Sequence, residues 1–123
     1  MNGGPGLPSI DVAEAERRLR EDPARPLLID VREANEFSDV RAPGAVLVPM
    51  SAFAARAGEL PKDRPLMVVC HLGGRSAAAA GFLLRSGWSD VVNVTGGMDA
   101  WERGGLPIRR GAPDPGEGDL PAS

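Results

Sequence analysis

Short apolar runs alternate with amphipathic stretches along most of this chain. Four of the runs are rich in Val, Leu and Ile, which is typical of short strands buried on both faces: residues 27–31, 45–48, 66–70 and 91–94. Helices are predicted around them over residues 11–20, with Ser9 or Asp11 as the N-cap, and over 33–37, 51–58, 76–86 and 98–103. This alternation predicts an α/β fold whose mostly parallel sheet is covered on both faces. In such sheets the ligand site lies beyond the carboxyl ends of the strands.

The two ends of the chain contain few residues that a core can bury. Residues 1–8 are rich in Gly and Pro, and residues 109–123 mix Pro and Gly with charged side chains. Segments of this composition do not bury enough apolar surface to offset the entropy of ordering them. A chain of 123 residues is long enough for one core. We therefore predict a single domain over residues 9–108, with flexible segments at 1–8 and 109–123.

The composition is that of an ordinary globular domain, with 42% hydrophobic and 25% charged residues. A net charge of −3 argues against nucleic acid as a partner. The sequence contains no run long enough to span a bilayer and no signal-peptide pattern at its start, so we expect a cytoplasmic protein that does not bind membranes. The absence of heptads predicts a monomer. One cysteine and one histidine argue against a disulfide and against the common metal sites.

Cys70 is the only cysteine, and it lies where the third predicted strand ends. A short turn with two glycines and an arginine follows, and then an alanine-rich helix. The N-terminus of that helix directs N–H groups and the positive end of its dipole toward the sulfur, which favours thiolate over thiol. The alternative is a buried cysteine that acts as a small hydrophobic residue. The glycines and the arginine favour a reactive nucleophile.

Four motifs, in this order, resemble those of the rhodanese-like domain family. They are Leu28-Ile29-Asp30-Val31-Arg32-Glu33 followed by Glu36-Phe37, Pro43-Gly44-Ala45 leading to Pro49, Cys70-His71-Leu72-Gly73-Gly74-Arg75-Ser76, and Gly96-Gly97 with Trp101 and Gly105-Leu106-Pro107. The resemblance covers residues 9–108. It implies a central, mostly parallel five-stranded sheet flanked by helices on both faces, with the cysteine loop as the active site.

The resemblance also implies a chemistry. Rhodanese-like sulfurtransferases carry a sulfane sulfur as a persulfide on the cysteine, here Cys70, and need no other cofactor. The donor would be thiosulfate or a protein persulfide, and the acceptor cyanide, a thiol or thioredoxin. The backbone amides of the loop would hold the sulfur: His71, Leu72, Gly73, Gly74, Arg75 and Ser76. Gly73 and Gly74 are both expected to allow inward-pointing amides.

Two side chains of the loop have further expected roles. Arg75 either binds an anionic donor or braces the loop against Glu33 or Glu36. Ser76 is expected to cap the following helix and also to contact the sulfur. His71 is expected at the rim of the pocket, where the protonated ring attracts an anionic substrate.

The resemblance assigns structural support, not catalysis, to Asp30, Arg32 and Glu36. Arg41 stands where many members of the family have a histidine. We expect its guanidinium to strengthen the positive field near the loop.

Two other functions stay open. One is a non-catalytic rhodanese-like module that binds partners, and the other is a cysteine-dependent phosphatase or arsenate reductase. Relatives of the second kind have five residues between cysteine and arginine, whereas four separate Cys70 from Arg75. The shorter loop favours a sulfur atom over a tetrahedral oxyanion, and the retained cysteine favours catalysis over binding alone.

Overall fold

The computed structural model of the protein describes residues 7–121. The strands are β1 (Ser9–Ile10), β2 (Leu27–Asp30), β3 (Val46–Leu47), β4 (Leu66–Val69) and β5 (Val91–Val94). The helices are α1 (Val12–Glu21), α2 (Ala34–Asp39), α3 (Phe53–Arg56), α4 (Gly74–Arg85) and α5 (Gly97–Arg103), and short 3-10 turns flank α3 at Met50–Ala52 and Ala57–Glu59. No helix in this part of the chain is both long and apolar enough to cross a membrane.

The strands form one five-stranded sheet in the order β1-β5-β4-β2-β3, and every neighbouring pair is parallel. β4 lies at the centre, with Val68 opposite Ile29 of β2 and Asn93 of β5. The predicted α/β fold is confirmed. Because all strands run the same way, their carboxyl ends meet along one edge, and the loop after β4 lies in the middle of that edge.

Helices cover both faces of the sheet, as a fully parallel sheet requires. Along β4, Leu66 and Val68 pack on one face against α3 and α4, while Met67 and Val69 pack on the other against α1, α2 and α5. All residues of β2 and β4 are buried. Each such Val or Leu side chain contributes about 1.5–3 kcal/mol by its burial, so the central strands are the most strongly held part of the fold.

The sequence prediction misses β1 because two residues are too few to show a period. Ser9 belongs to this strand, opposite Asn93, and not to the first helix. Asp11 is the N-cap of α1, and its carboxylate accepts a hydrogen bond of 2.9 Å from the Glu14 N–H. Of the predicted flexible segment 1–8, residues 1–6 lie outside the described part, while the Pro8 carbonyl accepts a hydrogen bond from the backbone of Asn93.

Residues 109–121 contact the domain, although none of them is fully buried. Arg41 makes several of these contacts. Its backbone pairs in both directions with Arg109, and its buried guanidinium donates to the Glu117 carboxylate and to the Gly111 carbonyl. A buried guanidinium needs such partners because leaving it unpaired is costly.

The same segment covers the edge of the sheet. The Leu47 N–H of edge strand β3 donates to the Gly118 carbonyl at 2.8 Å, and Leu120 packs on the core. The Arg41 guanidinium, which was expected to strengthen the positive field at the loop, is paired with the Glu117 carboxylate.

Candidate active site

Cys70 directly follows β4, at the centre of the carboxyl edge of the sheet. Only 1% of the residue is exposed. The chain then turns sharply into α4, and the turn needs a glycine at Gly73, whose φ is +124°. This conformation aims the Gly73 N–H at the Cys70 sulfur, with a nitrogen-to-sulfur distance of 3.0 Å. Gly74 has no positive φ and is the first residue of α4, so the second glycine is not required for the turn.

Several donors surround the sulfur. The Ser76 hydroxyl oxygen lies 3.3 Å from it. Burial acts to raise the pKa of the Cys70 thiol, but hydrogen bonds from the Ser76 hydroxyl and from the N–H groups of Ser76, Gly73 and Leu72 outweigh burial and lower the pKa below its ordinary value. The site therefore favours a sulfur anion without a neighbouring base.

Ser76 does not cap α4, because the helix begins two residues earlier than predicted, after Gly73 as N-cap. Ser76 instead lies inside the first turn and is fully buried. Its hydroxyl is within 3.1 Å of the Gly73 carbonyl and within 2.6 Å of the side-chain oxygen of Asn93 on β5. Asn93 was not among the predicted site residues, although an amide within an otherwise apolar strand is a visible signal.

The start of α5 holds the other side of the loop. The N–H of Met98 donates to the Cys70 carbonyl at 2.7 Å, and the N–H of Asp99 donates to the His71 carbonyl at 3.0 Å. Gly97 makes this approach possible, with a φ of +60° and with its α-carbon against the backbone of the loop. The sequence predicts Gly97 as part of a turn and does not predict its contact with the loop.

Arg75 forms a two-pronged ion pair with Glu36 of α2, with nitrogen-to-oxygen distances of 2.7 and 2.9 Å. The hydrogen bonds from Arg75 lower the pKa of Glu36 to about 2, so the pair stays charged at any physiological pH. Of the two predicted roles, the structure shows the bracing contact, and it selects Glu36 over Glu33. The Glu33 carboxylate instead accepts a hydrogen bond from the Ser51 hydroxyl.

Asp30 and Arg32 form a buried ion pair at the end of β2, with 2.8 Å between Arg32 Nη2 and Asp30 Oδ2. Arg32 also donates to the backbone carbonyl of Glu36, within α2, and to that of Val40, directly after α2. These bonds fix α2 against the sheet, and α2 in turn supplies the carboxylate that braces Arg75. Asp30, Arg32 and Glu36 thus connect β2, α2 and the cysteine loop.

The mouth of the site carries His71 and Leu72. Both are exposed, and Leu72, at 65%, is the one large hydrophobic side chain that is exposed among residues 7–121. His71 lines a cleft of about 230 Å³ beside the loop, together with residues of α2 and α5, among them Glu36, Met98 and Glu102. The two residues after the buried Cys70 thus present one imidazole and one leucine side chain to solvent.

Comparison with known proteins identifies the family that the four sequence motifs resemble. Residues 11–103 match the family model described as "Rhodanese-like domain". A sulfurtransferase of Allochromatium vinosum is 38% identical over 99 residues, which covers 80% of this chain and 92% of that protein. The thiosulfate sulfurtransferase GlpE of Actinobacillus succinogenes is 37% identical over 82 residues, covering 67% of this chain and 74% of the relative.

A solved structure shows the same architecture. The crystal structure of a rhodanese-related protein from Thermoplasma volcanium superimposes with a TM-score of 0.77 at 29% sequence identity. The match covers 84% of this chain and 98% of that protein. The arrangement of sheet and helices described above therefore occurs in a solved rhodanese-related structure.

Proposed function

Because this chain belongs to the rhodanese-like domain family, with sulfurtransferases among its relatives, we propose that it is a sulfurtransferase that carries sulfur as a persulfide on Cys70. The observation that carries the proposal is the hydrogen bonding of the sulfur, which Gly73 and Ser76 contact at 3.0 and 3.3 Å. Such donors stabilise a thiolate, which is the form of Cys70 that takes up the sulfur atom.

In the first half-reaction the Cys70 thiolate attacks the outer sulfur of thiosulfate. The bond between that sulfur and the sulfite group breaks, and sulfite leaves with the electron pair. In the second half-reaction cyanide or a thiolate attacks the outer sulfur of the persulfide, its S–S bond breaks, and the Cys70 thiolate is restored. Neither step needs a base, because the attacking nucleophile is already an anion.

Thiosulfate and a protein persulfide are the proposed donors, and cyanide, a thiol or thioredoxin the proposed acceptors. The relative named thiosulfate sulfurtransferase supports the first donor. With one cysteine in the 123-residue sequence, no thiol of the chain itself is available to take the sulfur. The acceptor is therefore an external nucleophile.

The direct assay of this function follows thiocyanate formed from thiosulfate and cyanide by the purified full chain. We expect saturable turnover above the uncatalysed rate. A second series replaces thiosulfate by the persulfide of 2-mercaptoethanol, which lacks the sulfite group of thiosulfate. Turnover with neither donor would contradict the proposal and favour a module that binds partners without catalysis.

The Arg75→Ala variant tests how the arginine contributes. Because its guanidinium is already engaged by Glu36, we expect the variant to act through a loosened loop and to lower kcat/KM by a similar factor, roughly tenfold, for both donors. Arg20→Ala is the matched control, since Arg20 forms an ion pair with Glu16 on α1, outside the loop. A loss confined to thiosulfate would show instead that Arg75 binds the sulfite group of that donor.

A further inference from the structure

Asn93 is a polar side chain in a place where the sequence pattern favours an apolar one. It lies within β5, whose other buried residues are valines, and its backbone pairs with β1 on one side and β4 on the other. Only 6% of Asn93 is exposed. Burying an amide costs free energy unless its hydrogen bonds are made, so the contacts of this side chain indicate what it does.

The Asn93 amide contacts the hydroxyl that touches the sulfur. Its oxygen lies 2.6 Å from Ser76 Oγ, and Ser76 Oγ lies 3.3 Å from the Cys70 sulfur. Among the described residues, Asn93 has no hydrogen bond to Cys70 itself, so it acts on the sulfur only through Ser76. The three side chains come from the loop after β4, from α4 and from β5, and they form a continuous polar line through an otherwise apolar core.

The few hydrogens that Cys70 and Ser76 can donate explain why an amide suits the position of Asn93. The Ser76 hydroxyl has one hydrogen. While it donates that hydrogen to the Asn93 oxygen, only its lone pairs face the sulfur, and a Cys70 thiol donates to them. A thiolate or a persulfide anion has no hydrogen to give. Ser76 must then turn its own hydrogen to the sulfur, and its oxygen needs a new donor.

An asparagine provides both partners. Rotation of its amide by half a turn replaces the acceptor oxygen by the NH₂ group, which donates to Ser76 Oγ. A valine at this position offers neither group, and the Gly73 carbonyl, 3.1 Å from Ser76 Oγ, then competes for the hydroxyl hydrogen. A donor to Ser76 also strengthens the hydrogen bond that Ser76 makes to the anion.

We propose that Asn93 is a positioning residue that turns the Ser76 hydroxyl from acceptor to donor when the Cys70 sulfur becomes an anion. Its role in sulfur transfer rests on the function proposed above. The hydrogen-bond switch itself is tested without any sulfur donor, so the two can fail separately.

The test is the rate of alkylation of the single cysteine by iodoacetamide, measured from pH 5 to 10 on the folded full chain. With Asn93→Val the thiolate loses support, so the rate at pH 7 falls about threefold or more and the profile moves to higher pH. Ser76→Ala lowers the rate roughly tenfold. At high pH, where all thiols are ionised, the rates of all variants converge.

The double variant decides whether Asn93 acts through Ser76. We expect Asn93→Val with Ser76→Ala to react no more slowly than Ser76→Ala alone. Thr95→Val is the matched control, because it removes a hydroxyl just after β5 that donates to the Ile10 carbonyl. We expect it to leave the profile unchanged. Asn93→Leu, with the same expected result, replaces Asn93→Val if that variant does not fold.

The charged and titratable groups around the loop are the same in all these variants. They are Arg75 on α4, Asp30 and Arg32 at the end of β2, Glu36 on α2, His71 on the loop and Asp99 on α5. A shift of the profile therefore reports the hydrogen bonds to the sulfur. An unchanged profile in both Asn93 variants would overturn the proposal, and so would a double variant that is slower than Ser76→Ala by the full Asn93 factor.

Discussion

Replacing Cys70 by serine is expected to reduce sulfur transfer to the uncatalysed background, a loss of roughly a thousandfold or more. A serine hydroxyl stays protonated at neutral pH and forms no persulfide. It nevertheless fits the space of the buried thiol and can use the same neighbours, the Gly73 N–H and the Ser76 hydroxyl. The fold should therefore survive. The measurement is thiocyanate formation from thiosulfate and cyanide at saturating thiosulfate.

Thermal unfolding of the same preparation is the control for this variant. We expect its free energy of unfolding to stay within about 1 kcal/mol of the wild-type value, since the substitution changes one buried atom and creates no cavity. A folded Cys70→Ser protein with turnover close to the wild type would exclude Cys70 as the carrier.

Replacing Gly97 by alanine is expected to have the largest effect on the fold. A β-carbon at this position would clash with the His71 carbonyl oxygen and lie 2.5 Å from the Cys70 carbonyl oxygen. These are backbone atoms of the active loop, so no flexible side chain can move aside. The φ of +60° adds strain. We expect a loss of about 3 kcal/mol in the free energy of unfolding, measured in urea, and a strong loss of activity.

Gly105→Ala separates the clash from the backbone strain. Gly105 also has a positive φ, +72°, but a β-carbon there meets no atom within 4 Å. We expect this control to cost about 1 kcal/mol and to leave turnover unchanged. Equal losses in the two variants would show that strain alone matters, and that Gly97 does not hold the loop against α5.

The fold was predictable to the extent that burial leaves a periodic signal. The runs at residues 27–31, 66–70 and 91–94 are continuous and apolar because those strands lie inside the sheet, and they were placed to within one residue. β1 has two residues, of which one is exposed, and leaves no such signal. The family resemblance, not the pattern, supplied the fifth strand.

The site was predictable where one chain segment builds it. The loop from Cys70 to Ser76 can be read as a unit, because a strand, a glycine turn and a helix follow one another. Contacts between distant segments were not predictable. In the sequence, Glu33 and Glu36 are equally good candidate partners of Arg75, because both lie at a similar separation along the chain. Only the packing of α2 selects Glu36.

The contacts of the segment after residue 108 were also not predictable from the sequence. Its composition predicts a flexible end, because composition does not reveal a single buried partner elsewhere in the chain. Arg41 is that partner, 76 residues before Glu117, and it contacts the segment through hydrogen bonds and one ion pair. Asn93 is comparable, since its importance appears only when Ser76 is seen beside it.

The most direct test of the central claim is the intact mass of the protein after incubation with thiosulfate, and again after addition of cyanide. We predict that the wild-type chain gains the mass of one sulfur atom, that cyanide removes it with release of thiocyanate, and that Cys70→Ser gains nothing. The persulfide of 2-mercaptoethanol serves as the second donor. A wild-type protein that takes up no sulfur from either donor would contradict the assignment of Cys70 as a sulfur carrier.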